Sequence, residues 1–225
     1  MSEPARFDLR VLPGLTPYFE ARRLQLDLVE RRRSGEIGET LLLLEHPPVI
    51  TLGRNADPAG VIASAGELKR CGVELHRVER GGEATYHGPG QIVGYPICDL
   101  HALKIGVAAY VHRLEEAMIR AAAKLEVEAG RRERLTGVFC ERGKIGAIGV
   151  RVSRGIAFHG FAFNVDPHLD HYRLIVPCGL SETPITSIAA TLGRSPSMER
   201  ARKAVIRSFG EVFGQALTSS VRRVQ

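Results

Sequence analysis

The sequence predicts a single domain of the α/β or α+β class, in which helices flank a mixed β-sheet. Three observations predict it. Strand-sized apolar runs recur along the chain, two segments repeat apolar residues at helical spacing, and glycine-containing turns separate the last strands. The chain has 225 residues, of which 44% are hydrophobic and 25% charged, which is enough to bury a core without disulfides. We expect one domain over residues 1–225.

The N-terminal half contains most of the predicted strands. Thr16 as an N-cap and Pro17 at the first helical position predict a helix that ends near Gly35. A second helix is predicted by apolar residues at helical spacing from Val107 to Ala121. Strands are predicted at residues 7–12, 40–44, 49–52, 73–78 and 91–97.

The C-terminal half has a different pattern. Arg142-Gly143 and the three residues 153–155 lie between apolar stretches and predict hairpin turns. The stretches themselves predict strands at 138–141, 144–152 and 156–165. A short helix is expected near Ser187. The last helix is amphipathic, with apolar residues at Val205, Phe209, Val212, Phe213 and Ala216.

Composition narrows the functional class. No apolar run approaches the ~20 residues of a membrane helix, and the N-terminus carries charges before any apolar stretch, so we expect a cytoplasmic protein without a membrane association. The four cysteines are too sparse for a disulfide framework. The net charge of +6 favours an acidic partner, either nucleic acid or an acidic protein. Zinc-finger spacing is absent and aromatics do not interleave with the basic clusters, so nucleic acid is disfavoured.

The densest signal is the segment from Arg80 to Gln91, RGGEATYHGPGQ. Four glycines and a proline within twelve residues indicate unusual backbone angles and close approach to a ligand. The segment is neither a Walker A loop nor a Rossmann fingerprint. From composition alone, a structural loop between two strands and a functional loop are equally good interpretations.

Three further patterns have simple structural explanations. Glycine at every third position from Gly143 to Gly149 is unusual in a strand and indicates that another chain or a ligand lies against it. Lys144, just after a turn, is by default a surface lysine. Cys178 lies between Pro177 and Gly179 and is by default a buried structural cysteine, because a nucleophile needs a base or a cation beside it.

A cluster of histidines and aspartates raises the question of a metal site. Its members are His159, Asp166, His168, Asp170 and His171. Their spacing matches no zinc motif, so loop-capping roles are favoured and no metal or other cofactor is expected.

Taken together, these motifs resemble the lipoate–protein octanoyltransferase family, within the biotin and lipoate protein ligase superfamily. The segment from Arg80 to Gln91 matches the family signature RGG-x-x-T-Y-H-x-x-G-Q at every fixed position. The Gly-Lys-Ile-Gly-Ala-Ile-Gly strand and the Pro-Cys-Gly turn follow in the family's order. The resemblance covers about residues 9–213 and implies the superfamily's α/β fold with a mixed sheet.

The resemblance also implies roles for individual residues. Cys178 matches the acyl-accepting cysteine, and Lys144 matches the lysine that lowers its pKa. The first substrate-binding segment is matched by Arg80, Gly81, Gly82, Glu83, Ala84, Thr85, Tyr86 and His87. Two further segments are matched by Ala147, Ile148 and Gly149 and by Gly160, Phe161 and Ala162. Many family members carry serine where this chain has Ala147, so a hydroxyl contact is not expected there.

The implied reaction moves an octanoyl group through a cysteine thioester. The donor would be octanoyl-acyl carrier protein. The acceptors would be lipoyl domains of 2-oxoacid dehydrogenase complexes and the H protein of the glycine cleavage system. Three alternatives stay open: an ATP-dependent lipoate or biotin ligase, a lipoyl amidotransferase of the same fold, and a non-catalytic acyl-binding module.

Overall fold

The computed structural model describes residues 7–176, 183–214 and 217–219, and it contains two mixed sheets. The strands are β1 (Phe7–Leu15), β2 (Glu39–Glu45), β3 (Val49–Leu52), β4 (Glu74–Arg77), β5 (Ala84–His87), β6 (Gln91–Asp99), β7 (Gly130–Arg132), β8 (Leu135–Cys140), β9 (Gly143–Ser153), β10 (Ile156–Asn164) and β11 (Leu217–Ser219). The helices are α1 (Tyr18–Arg33), α2 (Ala65–Arg70), α3 (Val107–Lys124), α4 (Ile188–Leu192) and α5 (Met198–Phe213). The mixed sheet flanked by helices that the sequence predicts is confirmed.

The large sheet has eight strands in the order β11-β1-β2-β6-β10-β9-β8-β7. The pairs β1–β2 and β1–β11 are parallel, and the other neighbours are antiparallel. The two predicted hairpins are confirmed, because Cys140 pairs with Gly143 and Ser153 pairs with Ile156. A core of apolar side chains lies between one face of the sheet and the helices α3 and α5, while α1 covers the other face.

The small sheet has the order β4-β3-β5 and carries the glycine-rich segment. β3 pairs parallel with β4 and antiparallel with β5. The glycine-rich composition predicts a loop where the structure has β5. It is a strand because Ala84 to His87 pair with β3 residue by residue, and Ala84 and Tyr86 face a small core with Ile50 and Tyr172. This sheet holds the glycine-rich segment beside β9 and β10.

Helix ends follow their local sequence signals, with one correction. α1 begins at Tyr18 with Pro17 as its N-cap, so the predicted N-cap, Thr16, is one residue early. The Ser187 hydroxyl caps α4 by accepting a hydrogen bond from the Ala190 N–H, which confirms the short helix. α5 is confirmed over Met198–Phe213, and Ala216 lies outside the described residues.

Besides β5, the elements α2, β7 and β11 have no counterpart in the sequence predictions. α2 begins at a capping box, in which the Ser64 hydroxyl accepts from the Glu67 N–H while the Glu67 carboxylate accepts from the Ser64 N–H. β7 is a three-residue strand at the sheet edge. Among the residues that the structure describes, no helix is both long and apolar enough to span a membrane.

Candidate active site

A pocket lies where β5, β9 and β10 meet. Ten of the sixteen predicted site residues line it: Arg80, Thr85, His87, Lys144, Ala147, Ile148, Gly149, Gly160, Phe161 and Ala162. Fold and pairing therefore bring together three segments that are far apart in sequence, and their role in substrate binding stays a prediction.

The alternation of β5 decides which residues of the first segment reach the pocket. Thr85 and His87 point toward it, whereas Ala84 and Tyr86 lie on the opposite face and pack into the core of the small sheet. Burial raises the pKa of Tyr86 to about 12. Gly81, Gly82 and Glu83 precede the strand and are not part of the pocket lining; they belong to the turn that positions Arg80.

Arg80 lines the pocket and also holds its own loop in place through hydrogen bonds. Its Nε donates to Thr51 Oγ1 at 3.1 Å, and its Nη2 donates to the backbone oxygens of Thr51 and Glu83 at 2.6 and 2.8 Å. Its Nη1 donates to Gly81 O at 2.9 Å. The guanidinium is buried, and its planar set of donors can satisfy acceptors on two segments at once. Arg80 thus ties the glycine-rich loop to β3.

The glycines of β9 leave room for that loop, as their spacing predicts. A Cβ at Gly149 would lie 3.0 Å from Arg80 Cδ and 3.1 Å from Gly81 O. The Gly81 N–H also donates to Val150 O at 2.9 Å, so the loop pairs with the strand. A Cβ at Gly146 would instead approach Met118 Sδ at 2.8 Å, on the core side. The glycines therefore accommodate other parts of this chain, the Arg80–Gly81 loop on one face of the strand and α3 on the other.

Lys144 is a buried pocket residue, so the default interpretation as a surface lysine is wrong. Its relative exposure is 7%, and its Nζ donates to Thr136 O at 2.9 Å and lies 5.5 Å from the centre of the Phe139 ring. Its backbone N–H donates to Pro184 O at 2.9 Å. The first residues of β9 therefore place the Lys144 amine on the pocket wall. The Lys144 backbone pairs with Pro184, six residues after Cys178 in the sequence. Cys178 itself lies outside the described residues, and its pairing with Lys144 stays a prediction.

Tyr18, Tyr95 and His159 also line the pocket, although the sequence singles out none of them as a substrate-binding residue. Tyr18 stacks on His87 with ring centroids 6.3 Å apart, and burial raises the pKa of its phenol to about 12. Tyr95 donates to His46 Nε2 at 2.8 Å. His159 is in β10 with φ of 55°, a value that non-glycine residues rarely adopt. Strained backbone of this kind concentrates at functional sites, and it is visible only in the fold.

Burial favours the neutral form of two histidines that line the pocket, His87 and His159, and of their neighbour His46. It lowers the pKa of His87 to about 3 and that of His46 to about 4, and it also lowers the pKa of His159. The His46 Nδ1 is 2.6 Å from Thr16 O, a pure acceptor, so this nitrogen carries the ring proton. These rings therefore offer hydrogen bonds without adding positive charge to the pocket.

The histidine and aspartate cluster is divided by the fold. His159 lines the pocket, whereas His168 and His171 stack on each other with centroids 4.5 Å apart near the small sheet. The His171 Nδ1 is 2.8 Å from Tyr86 Oη. Within residues 7–176, 183–214 and 217–219, no three His, Cys, Asp or Glu side chains are grouped as a metal site requires.

The chain is similar to known proteins of one family along most of its length. The family model of the lipoyl protein ligase A/B catalytic domain matches residues 17–210. An octanoyltransferase of Koribacter versatilis is 49% identical, over 89% of this chain and 82% of the relative. An octanoyltransferase of Alkaliphilus metalliredigens is 44% identical, over 92% and 96%. A lipoate-protein ligase A bound with ATP has a similar fold, with a TM-score of 0.75 at 19% identity, covering 95% of this chain and 88% of the other.

Proposed function

Because the chain belongs to the family of the lipoyl protein ligase A/B catalytic domain, we propose that it is an octanoyltransferase of lipoate biosynthesis. It moves an octanoyl group from acyl carrier protein to a lysine of a lipoyl domain. The observation that carries the proposal is the identity of nearly half the residues with relatives named octanoyltransferase, over most of this chain. The position of Lys144 on the pocket wall supports the chemistry.

In the first half of the reaction, the Cys178 sulfur attacks the thioester carbonyl carbon of the donor. The bond from that carbon to the carrier's sulfur breaks, and the carrier's sulfur leaves with the electron pair. Lys144 takes the Cys178 proton and delivers it to the leaving sulfur, since a desolvated lysine amine can gain and lose a proton. Thiol and thioester exchange without another energy source, so this step needs no ATP.

The octanoyl chain occupies the apolar part of the pocket, beside Ile148, Phe161 and Ala162. The three residues belong to paired positions of β9 and β10, where Ile148 is opposite Phe161. The oxyanion of the tetrahedral intermediate is stabilised by backbone N–H donors, either at Cys178 and Gly179 or along Gly146 to Gly149. Ala147 contributes backbone rather than a hydroxyl.

The proposed partners follow from this reaction. The net charge of +6 suits an acidic acyl carrier protein as donor. The acceptors are lipoyl domains, those of 2-oxoacid dehydrogenase complexes and the glycine cleavage H protein. The reaction belongs in the cytoplasm, where thiols stay reduced.

Purified protein, octanoyl-acyl carrier protein and an apo lipoyl domain test the proposal. The mass of the lipoyl domain should rise by one octanoyl group without ATP. A lipoyl domain whose target lysine is replaced by arginine is the matched control and should stay unmodified. Transfer from free octanoate that strictly requires ATP would replace the proposal with a ligase. Transfer only from another octanoylated lipoyl protein would replace it with an amidotransferase.

A further inference from the structure

A chain of buried hydrogen bonds links the strand of Lys144 to the ring of His87. The Thr186 N–H donates to Lys144 O at 2.9 Å. Thr186 O then accepts from Asn164 Nδ2 at 3.0 Å, and Asn164 Oδ1 accepts from Gln91 Nε2 at 2.8 Å. The last link joins Gln91 Oε1 to His87 Nδ1 at 2.7 Å. The four residues that follow Lys144 in this series are all buried: Thr186, Asn164, Gln91 and His87. Gln91 is completely inaccessible to solvent.

The direction of every bond in this chain is set at its Thr186 end. A backbone carbonyl oxygen only accepts, so the Asn164 atom beside it must be the nitrogen. The other Asn164 atom is then an oxygen, and the Gln91 atom that meets it must be a nitrogen. Gln91 therefore presents its oxygen to His87, and the proton between them sits on His87 Nδ1.

A second contact holds the Gln91 amide in this orientation. The Tyr172 hydroxyl is 3.0 Å from Gln91 Nε2 and 3.2 Å from Asn164 Oδ1, so it satisfies both groups at once. Turning the Gln91 amide over would place two oxygens against each other at Asn164, inside the protein, where an unpaired polar atom is costly. The tautomer of His87 is thus determined by residues that do not touch the pocket.

The consequence concerns the other ring nitrogen of His87. Burial keeps the ring neutral, because it lowers the pKa of His87 to about 3. With its proton on Nδ1, a neutral ring has an unprotonated Nε2, which accepts hydrogen bonds. Gln91 occupies the buried side of the ring and His87 lines the pocket, so Nε2 is the polar atom that His87 offers to a bound molecule.

We propose that Gln91 and Asn164 are positioning residues that keep His87 Nε2 as an acceptor, and that this nitrogen receives a hydrogen bond from the amine of the acceptor lysine. The inference rests on the proposed function, since it concerns the second half of the transfer. Holding the amine by one N–H leaves its lone pair directed at the thioester. The opposite tautomer would donate to that lone pair and block the attack.

The step balances without another reactant. The amine lone pair forms a bond to the thioester carbonyl carbon, and the bond from that carbon to the Cys178 sulfur breaks with its electron pair on sulfur. Of the two protons on the neutral amine, one stays on the amide nitrogen. The other ends on the Cys178 sulfur, carried by Lys144. His87 gains no net proton, which agrees with its neutral state.

The test separates the two half-reactions and reads the tautomer directly. Gln91→Met removes the acceptor at His87 Nδ1, and Val205→Ala, at a buried position of α5 outside the pocket, shows what lost stability alone does. Nitrogen NMR of ¹⁵N-histidine protein reports which ring nitrogen of His87 is protonated. Intact mass follows first the octanoyl adduct formed from octanoyl-acyl carrier protein, then its loss on adding an apo lipoyl domain.

We expect the wild-type His87 proton on Nδ1. Gln91→Met should lose this tautomer and form the adduct at the wild-type rate, yet pass it on about tenfold more slowly, the effect of one neutral hydrogen bond. Val205→Ala should change neither step.

Three results would overturn the inference. They are a wild-type His87 protonated at Nε2, an equal slowing of both half-reactions in Gln91→Met, or a transfer rate in that variant equal to the wild type. A wild-type protein that forms no adduct and transfers nothing would instead defeat the proposed function, and the role toward the amine with it. The NMR spectrum decides the His87 tautomer in either case.

Discussion

Acid should destabilise this protein, and His46 should account for a measurable share of the loss. The ring is completely buried, and its nitrogens are held by Thr16 O and the Tyr95 hydroxyl. Burial lowers its pKa from 6.5 to about 4. Between these two values the unfolded chain binds a proton that the folded protein excludes. Stability is therefore highest above pH 6.5 and falls as the pH drops toward 4.

The size of the effect follows from the pKa difference. At pH 5 the unfolded imidazole is about 1.5 pH units below its own pKa, and each unit corresponds to about 1.36 kcal/mol, so His46 costs about 2 kcal/mol relative to pH 7. His87, with a pKa lowered to about 3, should add a similar amount. Urea unfolding followed by circular dichroism at pH 7 and pH 5 measures the difference.

His46→Gln isolates the contribution of one ring. Glutamine can donate to Thr16 O and accept from the Tyr95 hydroxyl, but it does not titrate, so the pH 7 to pH 5 difference should shrink by about 2 kcal/mol. His101→Gln, at an exposed position, is the matched control and should leave the difference unchanged. If His46→Gln retained the full wild-type pH difference, the linkage argument would be refuted.

Three substitutions test the pocket wall. Arg80→Lys should lower stability by about 2 kcal/mol and expose the glycine-rich loop to proteases, because one ammonium cannot replace the bonds to both Thr51 and the loop. Gly149→Ala should keep the fold but reduce adduct formation about tenfold, since the new methyl displaces Arg80 and Gly81. Lys144→Arg should form no octanoyl adduct, as measured by intact mass, because arginine does not release its proton.

Each substitution has a matched control at a site that the pocket does not include. Arg134→Lys changes an exposed arginine, Gly130→Ala adds a methyl where no atom lies within 4 Å, and Lys203→Arg changes an exposed lysine. All three controls should keep wild-type stability and adduct formation. An Arg80→Lys protein as protease-resistant as Arg134→Lys, or a Lys144→Arg protein with wild-type adduct formation, would contradict the corresponding role.

Local sequence signals predicted those parts of the fold that depend on neighbouring residues. Hairpin turns at Arg142-Gly143 and after Ser153 were recognised because glycine permits backbone angles that other residues avoid. α5 was recognised from its apolar periodicity. β5 was missed because the glycines before Ala84 and after His87 indicate loop, whereas pairing with β3 makes the segment a strand. Tertiary pairing overrides local preference at such positions.

In the candidate site, too, some residues could be predicted from local sequence and others depend on the fold. The segments around Arg80, Lys144 and Gly160 carry recognisable motifs, and the fold brings them to one pocket. Tyr18 and Tyr95 are single residues on an ordinary helix and an ordinary strand, and only their packing places them there. The burial of Lys144 was equally invisible, because its position after a turn is typical of a surface lysine.

The most direct test of the account is the intact mass of the protein after incubation with octanoyl-acyl carrier protein alone. The wild type should gain one octanoyl group, which disappears when an apo lipoyl domain is added. Cys178→Ala should gain none and transfer none, whereas variants of the other three cysteines, Cys71→Ala, Cys98→Ala and Cys140→Ala, should behave as the wild type. An octanoyl adduct or normal transfer in the Cys178→Ala protein would contradict the cysteine thioester on which the proposed reaction depends.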